Sequence, residues 1–264
     1  MKQLDLPGLV CFWEFGNPAA GSDLTSRGPH RYRLREHNGP INRAVGGPLG
    51  GQALDLRRGQ WLSCPRAECP GLDLHGADAQ VTVVAWLLRR RQDVLWCDAI
   101  AGMWNERYHL RQYCLFVGLR IDDLRDSVNG HVSLYGGNTT GHPGSDELSV
   151  GRTAVPWDTW VCCAFTYDGS AIRSYLDGRL DATPRLNPRP HSGGIFHNPE
   201  FGSDFTIGAV DLPARRSEYN YDGERDQPGM GNFFDGLLAG VAVYRRALND
   251  DEVLGLSRLA APAP

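Results

Sequence analysis

Trp160-Val-Cys-Cys-Ala-Phe-Thr-Tyr-Asp-Gly169, followed by Ile172-Arg-Ser-Tyr-Leu-Asp-Gly178, decides the fold. Each run alternates in side-chain type and each closes on Asp-Gly, the pair that supplies the positive φ of hairpin turns. The spacing predicts two antiparallel strands, 160–167 and 172–176, joined at Asp168-Gly169. Period-two alternation sends Cys163, Phe165 and Tyr167 into the core and Cys162, Ala164 and Thr166 to the other face. That second face is small enough either to floor a ligand groove or to accommodate a covering segment.

Other runs extend the pattern. Residues 8–15 form an alternating first strand, 17–50 a Gly/Pro-rich connection, and 53–56 with 60–63 a strand pair around Arg57-Arg-Gly59. Gln80-Val-Thr-Val-Val-Ala-Trp-Leu-Leu88 has the highest β-propensity in the chain. Segments 100–104, 112–119, 131–135 and 205–208 read as further strands, and 233–248 as a terminal one. Asn249-Asp-Asp-Glu252 is a capping-box arrangement opening a short helix through Leu259. Long connections at 184–200 and 213–231 point to functional loops. No repeat or composition shift divides residues 1–264, so one domain is expected, with its core at about 8–259.

These motifs resemble the laminin-G-like branch of the concanavalin A-like superfamily. The resemblance rests on the "A-W" strand at 80–88, on W-x-x-x-A-F-T-Y-D-G followed by Y-x-D-G at 160–178, and on F-x-G…V-Y-x-R-A-L at 234–248. It implies an all-β jelly-roll sandwich of two curved antiparallel sheets with a short C-terminal helix. It also implies carbohydrate as the first ligand class and a groove on the concave sheet.

Composition narrows the partners. The 264 residues carry a net charge of −4, and no basic run interleaves with aromatics, which argues against nucleic acid. Of 27 basic residues only Lys2 is a lysine, so lysine-based covalent chemistry is absent from the body of the chain. No apolar stretch has signal-peptide or membrane-spanning character, so no membrane partner is expected. With seven cysteines, the expectation is a cytoplasmic protein with reduced thiols. Cys64 and Cys69 flank Pro65 but lack a second pair for zinc.

The densest polar-aromatic segment is Trp104-Asn-Glu-Arg-Tyr-His-Leu-Arg-Gln-Tyr113. Trp104, Tyr108 and Tyr113 offer faces on which sugar C–H surfaces stack. Arg111 or Arg107 offers a fork for a uronate carboxylate, and Gln112, Asn105 and Asn138 are hydroxyl-reading types. A period of two places His131, Ser133 and Tyr135 on one strand face, with His131 and Tyr135 about 13 Å apart. The Gly-rich loop 136–144 adds His142 at the strand end.

The leading expectation is a saccharide-binding domain using Trp104, Tyr108, Arg111, Gln112, Tyr113, Ser133 and His142. The alternative is a lyase or hydrolase with His131 as base, Tyr135 as acid and Glu106 in support. A protein-interaction domain is the third reading. No E-x-D-x-x-E strand appears, and Glu218…Asp222…Glu224 has the wrong spacing for a retaining pair. No cofactor is required. The resemblance suggests a structural calcium, for which Asp23, Asp211 and Asp235 are the available carboxylates, although Ala239-Gly240 replaces the acidic pair usual in the terminal strand.

Overall fold

The computed structural model describes residues 5–16, 24–92, 97–119, 126–142, 144–213 and 228–260. Asp23, Glu218, Asp222 and Glu224, all considered above, lie outside them, as do Tyr219 and Tyr221 of the 213–231 connection. Among the described residues the chain forms two large antiparallel sheets face to face, a jelly-roll β-sandwich, with one short helix near its C-terminal end.

The first sheet runs β13 (Arg179–Leu180), β12 (Ala171–Leu176), β11 (Trp160–Tyr167), β6 (Val81–Arg89), β18 (Gly236–Tyr244), β4 (Gln52–Leu56) and β3 (Asn42–Val45). β1 (Leu9–Glu14) also pairs with β18, and β14 (Arg189–Pro190) with β12. The second sheet runs β10 (Leu148–Val150), β9 (Val128–Val132), β8 (Tyr113–Val117), β7 (Asp98–Met103), β15 (Phe205–Ile207), β5 (Trp61–Cys64) and β2 (Arg35–His37). A small pair, β16 (Val210–Leu212) with β17 (Gly229–Gly231), stands beside it.

The opening hairpin forms as read, with Thr166 opposite Arg173 and Tyr167 opposite Ile172. Its two Asp-Gly turns differ. Asp177 and Gly178 both take positive φ, 49° and 77°, between the paired Leu176 and Arg179. That is the type I′ geometry for which Asp-Gly is suited. At the other turn only Gly169 is positive, and the Asp168 carboxylate accepts from the backbone of Ser170 and Ala171 in an Asx-type loop.

Cys163, Phe165 and Tyr167 enter the core between the sheets, with Val83, Ala85 and Leu87 from β6 and Tyr113, Leu115 and Val117 from β8. The opposite face of β11 is not a groove. Cys162 and Ala164 are buried with Trp86, Tyr175, Val253 and Leu256 beneath helix α1 (Asp250–Ser257). Trp86 Nε1 donates to the Leu256 carbonyl at 3.3 Å, and Tyr175 Oη to Asp250 at 2.9 Å. Of the two uses read for the small residues, admission of a covering segment is the one realised. The Asn249/Glu252 capping box that starts α1 is fully formed.

Some elements depart from the sequence reading. The 17–50 connection contains β2 and β3, both largely exposed and at sheet edges. The strand expected at 131–135 spans 128–132 instead, because Ser133 Oγ accepts from the Gly136 backbone N–H and turns the chain away. All seven cysteines are buried free thiols. No helix of the described residues is long and apolar enough to cross a membrane.

Candidate functional site

Residues opposite one another in a sheet share a face. The row Arg35, Ser63, Thr206, Gly102, Cys114 and His131 therefore lies on one side of the second sheet, away from the inter-sheet core. Toward β8 and β7 this outer face is closed over by β16: Trp104, Cys114 and Phe116 pack with Val210 and Leu212. Toward β15 and β5 it stays open, and there a cleft of about 1140 Å³ lies over the sheet.

Trp61, Trp104 and Thr206 line this cleft from the sheet side, and the segments 65–73, 105–110 and 198–204 build its walls. Trp61 is backed by its cross-strand partner His37, with ring centroids 3.7 Å apart and planes 7° from parallel. His37 also bonds Ser63 Oγ at 2.8 Å, and burial followed by the nearby Arg35 lowers its pKa. Four large apolar side chains are exposed among the described residues. Two of them, Tyr108 at 57 % and Phe201 at 63 %, stand on this cleft.

The polar lining is tightly organised. Arg66 donates through Nε to Asp73 at 2.7 Å and through Nη2 to the Asn198 carbonyl at 3.2 Å, while its backbone N–H donates to Asp204. Gln112 donates to the other Asp73 oxygen at 2.8 Å. Burial alone raises the Asp73 pKa, but the hydrogen bonds from Gln112 and Arg66 outweigh it and leave the carboxyl lowered. Asn105 donates to Asp211 at 3.0 Å and accepts from the Tyr108 backbone, fixing the loop that presents Tyr108.

Of the residues selected from sequence, Trp104 and Tyr108 line the cleft, as does Asn105. Trp104 is almost fully buried and forms floor rather than wall. Behind it lies a network of three more of those residues. Glu106 accepts from Trp104 Nε1 at 3.1 Å and from Arg111 Nη2 at 3.2 Å. His131 packs against Trp104 and holds the Ser145 carbonyl through Nε2.

The expected readout roles therefore change. Arg111 is buried in its ion pair with Glu106 and does not face a uronate. Gln112 is spent on Asp73. Tyr113 points into the inter-sheet core, where its hydroxyl donates to the Leu72 carbonyl at 2.6 Å. Ser133 is buried in the turn after β9, and Tyr135, half-exposed, lies beyond the strand end. His131, Ser133 and Tyr135 therefore share no strand face, and His131 is only 6 % exposed, its pKa pushed down to about 3 by burial and then by Arg111. His142 sits on an exposed loop 3.9 Å from Asp146, outside the cleft.

Of the calcium carboxylates, the two among the described residues, Asp211 and Asp235, do not come together in a cluster. Asp235 is paired with Arg90, Asp211 holds Asn105, and no group of three or more His, Cys, Asp or Glu among the described residues is placed to hold a metal ion. Cys69 Sγ is directed to the carbonyls of Cys64 and Pro65. Cleft residues not selected from sequence, among them Trp61, Arg66, Phe201 and Asp204, sit on or beside the 184–200 loop and the 60–63 strand. The length of that loop was the only signal for them.

A face-to-face antiparallel sandwich, closed on one outer face by a helix and open on the other through a cleft, defines the class: a jelly-roll protein with a sheet available to a ligand. The chain belongs to the concanavalin A-like lectin/glucanases superfamily, whose family model matches residues 67–254. No curated protein sequence matches the chain.

Similar solved structures share the fold at low identity. Domain 4 of AbnA, a GH43 extracellular arabinanase from Geobacillus stearothermophilus, in complex with arabinotriose, has a TM-score of 0.56 at 16 % identity; the match covers 94 % of this chain and 98 % of that one. The binding domain of botulinum neurotoxin DC in complex with SialylT has a TM-score of 0.58 at 8 % identity, covering 97 % of this chain and 52 % of that one. A mutant of Trypanosoma rangeli sialidase displaying trans-sialidase activity has a TM-score of 0.54 at 15 % identity, covering 98 % and 35 %. This chain thus spans about half of the toxin domain and about a third of the sialidase.

Proposed function

We propose that the chain is a saccharide-binding domain and that its site is the cleft over β15 and β5. One observation carries the reading. Half of the exposed large apolar side chains among the described residues, Tyr108 and Phe201, stand on one open cleft whose other lining sets two indoles, two amides and four carboxylates among apolar residues such as Pro65, Pro70, Leu110 and Met230. Aromatic rings with apolar faces and wet edges, set beside fixed hydrogen-bonding groups, match the alternating C–H and O–H surfaces of a sugar. The structural neighbours bound to arabinotriose and SialylT support the same ligand class.

A glycan array followed by fluorescence titration of the hits tests this. Phe201→Ala and Tyr108→Ala should each weaken the best hit by about fivefold to tenfold, the range of one lost ring contact. Wild-type affinity in both variants would sink the assignment of the cleft. Absence of any saccharide hit would sink the ligand class itself.

A further inference from the structure

The charges of the cleft are lopsided. Among the described residues its lining carries four carboxylates, Asp73, Glu200, Asp204 and Asp211, against one cation, Arg66. Arg66 is already neutralised by Asp73, its guanidinium nitrogens lying 2.7 Å from the carboxylate. Asp211 engages Asn105. The remaining two, Glu200 and Asp204, are both exposed and flank the exposed Phe201 in sequence, Asp204 also accepting from the Arg66 backbone N–H. Arg107, beside the rim, lays its guanidinium over the Tyr108 ring at 4.7 Å.

Rings and carboxylates act in the same direction here. The negative face of an aromatic ring attracts a cation, and so does an unneutralised carboxylate. Trp61, one face covered by His37, keeps its other face for the cleft.

We propose that the cleft selects a saccharide bearing a protonated amine, a 2-amino-2-deoxy sugar, over uronate or sialic acid. This rests on the saccharide reading of the cleft and narrows it to a charge class. A uronate or sialate would bring a further anion to a lining that holds Glu200 and Asp204 and whose one described cation, Arg66, is already paired with Asp73.

The test compares tetrasaccharides of glucosamine, N-acetylglucosamine and galacturonic acid at pH 6, with tetralysine as a non-sugar cation. The amino saccharide should bind about fivefold tighter than its N-acetylated counterpart, the effect of one or two exposed ion pairs. The preference should shrink in high salt, which screens exposed charges. It should also fall toward unity in Glu200→Gln and in Glu200→Gln/Asp204→Asn. Equal binding of the amino and N-acetyl forms, or tighter binding of the uronide, overturns the charge assignment while leaving a saccharide site in place. Tetralysine outcompeting the amino saccharide also overturns it and points to a basic peptide. No binding of any saccharide removes the underlying reading and this one with it.

Discussion

His131 lies against Trp104 with ring centroids 4.4 Å apart and planes 35° from parallel, in a position only 6 % exposed to solvent. The floor of the cleft thus rests on a neutral, buried imidazole. Its pKa in the folded chain, about 3, is below the unfolded value of about 6.5. The unfolded chain therefore binds more protons between those values, and the contribution of His131 to stability is complete above about pH 6.5 and declines as pH falls. Asp98, fully buried and raised to about 6, acts in the opposite sense, favouring the folded state at low pH and losing that contribution as pH rises through 6. Comparing the wild type with His131→Asn isolates the histidine. Their stability difference should change by about 1 kcal/mol between pH 7.5 and 5.5; parallel urea curves at both pH values would refute this.

Arg89 is fully buried at the end of β6, donating to Asp98 at 2.8 Å and to Asp126 at 3.4 Å, with its guanidinium 4.0 Å from the Trp157 ring. Arg89→Met leaves two carboxylates without their cation, at a cost of about 3–5 kcal/mol. Urea midpoints measure it, and adding Asp98→Asn should recover part of the loss. A loss below about 1 kcal/mol would mean that the network does not hold this end of the sandwich.

The Trp61 wall depends on the His37 behind it. Trp61→Ala should weaken the best saccharide by about tenfold, and His37→Ala, which removes only the backing ring, by about threefold. Unchanged affinity in Trp61→Ala would remove this ring from the binding surface.

Two Asp-Gly pairs that read alike in sequence should respond differently to substitution. Gly169 has positive φ but open space around its Cα, whereas a Cβ on Gly178 would come within 2.7 Å of the Leu254 Cα in α1. Gly169→Ala should cost about 1 kcal/mol from backbone strain alone. Gly178→Ala should cost at least about 1 kcal/mol more, because the helix must move. Equal melting temperatures for the two variants would contradict the placement of α1.

The strands most legible in the sequence were those whose alternation faces two environments. β6, β11, β12 and β18 read well because one face meets the inter-sheet core and much of the other is buried in the second apolar cluster, with α1. β2 and β3 were missed because Arg35-Glu-His37 and Asn42-Arg-Ala-Val45 are edge strands with little buried on either side. The Val132/Leu134 alternation runs on past the end of β9, and only the Ser133–Gly136 hydrogen bond reveals the turn. In the cleft, Trp104 and Tyr108 could be singled out by type. Arg66 and Asp204 could not, since 138 residues separate them and only the pairing of β5 with β15 brings them together. The Glu106, Arg111 and His131 assignments fall on residues that form one network with Trp104, but residue type does not say that such groups face inward.

Arg66 spans the cleft wall by itself, reaching Asp73 and the Asn198 carbonyl through its guanidinium and Asp204 through its backbone. Three stretches of chain are thereby tied together before any ligand arrives. A ligand entering such a cleft has little loop ordering to drive, so the entropy it surrenders is chiefly its own. Calorimetrically, association would follow the area of ring it covers and lack the large heat-capacity change of coupled folding.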